Sequence, residues 1–148
     1  MLKAAQCAGP VVPKLIDSFS EKGVNVIIME LFEGITLKDL IKDYDFSRRH
    51  IHQISYKLLE ALNHVNSSGV IHNDLKLDNV MACIKNDDCT VKIIDFGKAT
   101  PVGGKPWGHN RNRVLKFSDI DPYLASHGPC SAKTDLFSLG EILLKFHR

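Results

Sequence analysis

Between Val70 and Gly97 the sequence alternates apolar runs with two short polar segments, and this alternation leaves few options for the fold. Val70-Ile71 leads into His72-Asn73-Asp74-Leu75-Lys76-Leu77-Asp78-Asn79, which has the form H-x-D-L-K-x-x-N. The apolar stretches Val80 to Ile84 and Thr90 to Ile94 read as strands, and Lys85-Asn86-Asp87-Asp88 between them reads as a hairpin turn. The second of these strands runs straight into Asp95-Phe96-Gly97, 21 positions beyond Asp74. A polar surface turn after a helix would explain His72 to Asn79 taken alone, and three-residue matches such as D-F-G recur by chance. Both segments in this order, each beside an apolar strand-like run, argue against coincidence.

Together the two motifs resemble the catalytic loop and the metal-binding motif of a protein kinase. Phosphoryl transfer from ATP concentrates negative charge, so catalysis is mostly positioning and charge neutralisation. The resemblance implies that Asp74 orients the acceptor hydroxyl and takes its proton. It implies that Asn79 and Asp95 hold Mg2+, a cation that prefers oxygen ligands. Lys76, two residues beyond Asp74, would neutralise the transferring phosphate as a mobile point charge. A lysine at that place is typical of the serine/threonine members. The expected partners are ATP and a protein substrate.

Upstream, Val11 to Phe19 and Val24 to Leu31 are strand candidates separated by the turn signal Glu21-Lys22-Gly23. The following Glu30-Leu31-Phe32-Glu33-Gly34 resembles the kinase hinge, with Met29 at the gatekeeper place; an ordinary strand leaving a sheet is the plainer reading. The resemblance implies a nucleotide site lined by Met29, Glu30, Leu31, Phe32 and Met81. Thr36 is placed to cap a helix, with Asp39 in its first turn. A longer helix starts near Ser47. Its residues Ile51, Ile54, Leu58, Leu62 and Val65 recur at three- and four-residue spacing, and Ser67-Ser68-Gly69 ends it. His50, His52 and His64 lack metal-ligand spacing and read as surface or half-buried imidazoles.

Downstream, residues 98 to 121 lack periodicity, as the family's activation segment would. Lys105, Arg111, Arg113 and Lys116 there suit either acidic substrates or a solvated charged loop. Ile120-Asp121-Pro122-Tyr123 resembles the A-P-E region, with tyrosine in place of glutamate. Asn73 stands where most members carry arginine, so a switch operated by phosphate at Thr100 or Ser118 is not expected. The helix Thr134 to Phe146 resembles the central helix of the C-lobe. Its Asp135 matches the acid that receives catalytic-loop amides, and is also an acid favoured near a helix N-terminus.

The expected fold is α+β and protein-kinase-like: a mostly helical C-lobe with catalytic-loop β-hairpins plus the last N-lobe strands. Residues 1–31 would be remnant N-lobe strands and hinge approach, and 32–148 an incomplete C-lobe. No Gly-rich loop or V-A-I-K lysine precedes the hinge, and Lys3 lies too close to Val11 to leave room for the intervening helix. Leu136, Phe137, Leu139, Ile142, Leu143, Leu144 and Phe146 point nearly all round their helix, as on a helix buried on every side. The face of Leu139, Ile142 and Phe146 is expected to lack cover here, which would leave the chain marginal, sticky or dependent on a partner covering this helix. The chain therefore reads as a partial protein kinase domain, with a catalytically inactive kinase-like binding module as the alternative. A net charge of +2 gives no pull towards nucleic acid or a membrane surface, and no apolar run spans a bilayer. Cys7, Cys83, Cys89 and Cys130 show no C-x-x-C pairing and read as reduced thiols of an intracellular, cytoplasmic protein.

Overall fold

A computed structural model describes residues 1–43, 47–86, 88–105 and 129–147. The chain opens with one helical turn, α1 (Leu2–Ala5), and a 3-10 stretch, Gln6–Val11, broken at Gly9. Strand β1 (Leu15–Glu21) begins four residues later than the sequence suggested. Pro10 and Pro13 have no amide to donate to a ladder. The Gln6 side chain instead holds the extended lead-in, accepting from the Leu15 amide (2.8 Å) and donating to the Pro13 carbonyl (3.0 Å). β1 pairs antiparallel with β2 (Val24–Met29). Lys22 and Gly23 both have positive φ (51° and 79°), the backbone that a two-residue turn needs to match strand twist. The second strand stops at Met29, short of Leu31.

Strand β3 (Ile35–Thr36) leads into α2 (Leu37–Asp43). The expected cap is present: Thr36 Oγ1 accepts from the Asp39 amide (3.2 Å) and donates to the Asp39 carboxylate (2.6 Å). Helix α3 (Arg48–Ser67) starts on Ser47, whose hydroxyl accepts from the His50 amide. Then come β4 (Val70–Ile71), β5 (Val80–Lys85), β6 (Asp88–Ile93), β7 (Thr100–Pro101) and α4 (Ala132–Phe146). β5 and β6 form the expected hairpin, and β3 adds to its outer edge, giving the order β3-β5-β6. Gly34 permits that edge to close, because a Cβ there would lie 2.7 Å from the Ala82 carbonyl oxygen. β4 pairs with β7, joining the start of one polar loop to the end of the other.

The core is built around α3. Its buried face of Ile54, Leu58, Ala61, Leu62 and Val65 packs against β6, the N-terminal 3-10 stretch and α4. This burial is the dominant favourable term holding the loops in place. The three α3 histidines behave as expected, with His50 half-buried and His52 and His64 exposed. All four cysteines are free. Burial, with the Asp88 carboxylate alongside, pushes the Cys89 thiol up to about 11, so it is inert at neutral pH. No helix among the described residues is long and apolar enough to cross a membrane. The A-P-E-like stretch 120–123, Ser118, and the basic residues Arg111, Arg113 and Lys116 lie outside the described residues.

One expectation is reversed on α4. Leu139, Ile142 and Phe146 are buried, whereas Leu136, Phe137 and Leu144 are exposed at 50%, 37% and 60%. Leu139, Ile142 and Phe146 stand at i, i+3 and i+7 and join the core that α3 dominates. The uncovered apolar surface is on the other side of the helix. Ile142→Ala is therefore expected to cost about 2–5 kcal/mol, while Leu144→Ser changes stability by no more than about 0.5 kcal/mol. Urea unfolding of the two variants checks this, and equal losses would contradict the assignment of faces.

Candidate active site

Asp135, in the first turn of α4, is fully buried. Its Oδ2 accepts the His72 amide (2.8 Å) and the Asn66 side-chain amide (2.9 Å), and its Oδ1 accepts the Asn73 amide (3.0 Å). A buried carboxylate is tolerated only when its lone pairs are filled in this way. Asn66 also donates to the Val70 carbonyl at 3.1 Å, so the end of α3, strand β4 and helix α4 meet at one acid. The match of Asp135 to an amide-receiving acid is thus seen directly.

His72 fastens the two polar segments to each other. It is fully buried, and its Nδ1 lies 3.3 Å from the Asp74 amide, which donates to it. That ring nitrogen must then carry a lone pair, which leaves the proton on Nε2 to bond the Ile94 carbonyl at 2.9 Å. Ile94 immediately precedes Asp95. The His72 ring also meets Phe96 edge-on, with centroids 4.9 Å apart. One neutral imidazole therefore sets the distance between H-x-D-L-K-x-x-N and D-F-G.

The predicted polar residues gather around this anchor. Asn79 is buried, donates from Nδ2 to the Asp74 carbonyl (2.8 Å) and carboxylate (3.3 Å), and accepts the Ile94 amide at its own carbonyl (2.9 Å). Asp74 is half-buried, with Lys76 Nζ at 3.3 Å from Oδ2 and Lys98 Nζ at 2.9 Å from Oδ1. Asp95 adopts left-handed backbone (φ 61°, ψ 73°), with Oδ1 accepting the Gly97 amide at 3.1 Å. The strained φ turns the acid away from the line of β6, and an aspartate tolerates it better than most residues. Asp74, Lys76, Asn79 and Asp95 thus lie within two loops tied at residues 72, 79 and 94.

The hinge candidates form a second, more open edge. Met29 and Leu31 are exposed at 44% and 89%, and Phe32 is half-buried. Glu30 pairs through its carboxylate with Lys92 of β6, whose ammonium also lies 5.5 Å from the Phe32 ring centroid. Lys92 is almost buried and reaches the Val12 carbonyl at 3.4 Å. Met81 pairs with Lys92 across β5 and β6, so both side chains share one face of the sheet. Lys92 and Lys98 have no place in the sequence reading. A lysine inside the apolar run Val91-Lys92-Ile93-Ile94 is the signal that marks Lys92; Lys98 carries no comparable signal.

Two energetic consequences follow. Asp135→Ala strands two loop amides and the Asn66 side chain in a buried place and is expected to cost about 3–5 kcal/mol, measurable by chemical denaturation. The Lys92 partner holds the Glu30 carboxyl below its ordinary value of 4.5. Because the folded value is the lower one, this stabilisation is present above pH 4.5 and disappears as the pH falls through the lowered value. Glu30→Gln should lose stability at neutral pH on the scale of a partly exposed ion pair, about 0.2–1 kcal/mol. Its stability should also fall less steeply than the wild type's between neutral pH and pH 3, as followed by thermal unfolding. An unchanged acid profile would dissociate the pair from stability.

A family model described as the protein kinase domain matches residues 1–147. A probable serine/threonine-protein kinase of Clostridium perfringens is 31% identical over 140 residues, covering 94% of this chain and 20% of the relative. A serine/threonine-protein kinase of Mycosarcoma maydis is 36% identical over 129 residues, covering 87% and 17%. The delta subunit of calcium/calmodulin-dependent protein kinase type II of Oryctolagus cuniculus is 28% identical over 139 residues, covering 90% and 25%. The chain spans between about a sixth and a quarter of the length of these relatives. With mixed helix and strand, two loops locked by His72 and Asp135, and a family match over nearly its whole length, this chain belongs to the protein kinase family.

Proposed function

We propose that this chain carries the catalytic centre of a serine/threonine-type protein kinase that transfers the γ-phosphate of ATP to a protein hydroxyl. The observation that carries this reading is the shared anchoring of the Asp74 and Asp95 loops by one imidazole and one buried carboxylate, with Asn79 bonded to Asp74 and to the Ile94 amide. Phosphoryl transfer asks the protein for positioning above all, and these acids sit on loops whose backbones are fixed. Asp74 is the general base: its carboxylate is part-exposed and able to receive a hydroxyl proton. Lys76, 3.3 Å from it, sets a mobile positive charge beside the transferring group.

The donor set suits a divalent metal. Asn79 spends its amide nitrogen on Asp74, which leaves Oδ1 as the ligating atom. Asp95 commits one oxygen to the Gly97 amide and keeps the other. Two hard oxygen ligands fit Mg2+, which keeps several waters and phosphate oxygens of its own. When bound, that ion supplies neutralisation of the phosphate charge. The adenine edge is assigned to Met29, Glu30, Leu31 and Phe32, with Met81 on the facing sheet.

Residues 1–31, a helical lead-in followed by strands β1 and β2, are read as remnant N-lobe with the approach to the hinge, and 32–148 as an incomplete C-lobe. The two-stranded β1-β2 sheet supports this: Ile16, Phe19, Val24 and Ile27 are all exposed on it. An isolated two-stranded sheet is marginal in water, so such strands belong in a larger sheet. The relatives are named as kinases, and the inactive-module alternative gains nothing from them.

The test is transfer to a serine or threonine peptide by the full-length natural protein. Asp74→Asn is expected to lower turnover by about 10²–10⁴-fold without changing thermal unfolding. Undiminished turnover in that variant would remove Asp74 from the mechanism.

A further inference from the structure

The residue after the D-F-G motif is tied to the catalytic loop at both of its ends. The Lys98 ammonium lies 2.9 Å from Asp74 Oδ1, and the Lys98 carbonyl accepts from Asn73 Nδ2 at 3.2 Å. The same Asn73 nitrogen donates to Thr100 Oγ1 at 2.9 Å, and Thr100 is buried in the β4-β7 pair opposite Ile71. The Asn73 backbone amide, in turn, is held by Asp135. Asn73 thus clasps residues 98–100 with neutral hydrogen bonds, one to the Lys98 backbone and one to the Thr100 hydroxyl. Lys98 begins its reach towards Asp74 from a fixed point.

The consequence appears at the carboxylate. Asp74 Oδ2 takes Lys76 and Asn79 Nδ2, both at 3.3 Å, which fills its two lone-pair directions. Among the described residues Oδ1 takes Lys98 alone, so within that set one acceptor direction on this oxygen faces an incoming hydroxyl. The Lys98 side chain is 54% exposed against 16% for Asp74, so the cation lies on the solvent side, where an acceptor must approach.

We propose that Lys98 is a positioning residue: by bonding Asp74 Oδ1 from a backbone held by Asn73, it fixes the rotation of the Asp74 carboxylate and thereby the direction from which the acceptor hydroxyl is received. The inference rests on the phosphoryl-transfer reading of Asp74. It adds a residue outside both motifs, and it requires no charged group at position 73. Arginine preserves a cation of similar reach, whereas methionine preserves the length of the side chain and removes the charge.

Steady-state kinetics of the full-length natural protein with a serine or threonine peptide provide the test. Lys98→Met is expected to lower kcat by roughly tenfold to a hundredfold, the scale of a misoriented catalytic group. The KM for ATP should stay unchanged, and Lys98→Arg should recover most of the loss. In an Asp74→Asn background, adding Lys98→Met should cause no further loss, because the two act as one unit. An unchanged kcat in Lys98→Met, a failure of arginine to rescue, or an equal fold-loss in both backgrounds would overturn the proposal. Full activity of Asp74→Asn itself would instead overturn the phosphoryl-transfer reading, so the two failures are separable.

Discussion

The buried carboxylate of Asp135 is the constraint on which the rest of the site depends. A charge at the centre of the fold is costly unless donors surround it, and here the donors are the backbone of His72 and Asn73 and the side chain of Asn66. The interaction works in both directions. The loop amides stabilise the acid, and the acid obliges residues 72 and 73 to stay where their amides point. Asn73 has a φ of 61° in consequence of this course, a conformation that asparagine adopts more readily than most residues. The loop that begins at His72 is therefore held from below by a helix more than sixty positions away in sequence.

From that anchor the geometry propagates by short steps. His72 carries it to Ile94 and Phe96, and hence to Asp95; Asn79 carries it to Ile94 by a second route. The apolar core supports these bonds without taking part in the chemistry. Helix α3 presents one buried face to β6 and to α4, so the strand that leads to Asp95 and the helix that carries Asp135 share a single packing surface. Close packing of this kind allows little drift between elements, which is what a positioning mechanism requires. The edge at Glu30 to Phe32 is built differently. It depends on the Lys92–Glu30 pair and on a two-stranded sheet with both faces largely in solvent.

Much of this was legible beforehand, for reasons that differ by residue. The helix starts at Thr36 and Ser47 follow from local chemistry, because a side-chain oxygen near free amides acts within a few residues. The Lys22-Gly23 turn and the β5-β6 hairpin follow from the same kind of short-range rule. Pro10 and Pro13 should have delayed the first strand, and the apolar run around them concealed that signal. On α4 the sequence shows that nearly every direction is apolar. It does not show which stripe finds a neighbour, and Leu139, Ile142 and Phe146 turned out to be the covered ones.

By itself the sequence determined the chemical inventory and its local scaffolding: two acids, an asparagine and a lysine on two loops beside strands, with caps and turns in place. These depend on residue identity and on contacts a few positions apart, which a linear reading can follow. Only the tertiary structure decided the tautomer of His72, the three donors on Asp135, the burial of Lys92 against Glu30, and the reach of Lys98 to Asp74. Each of these joins residues 22 to 69 positions apart or depends on a bond that does so. Such pairings are selected by the packing of α3, α4 and β6 together, because only burial makes an unpaired polar group costly enough to force one arrangement.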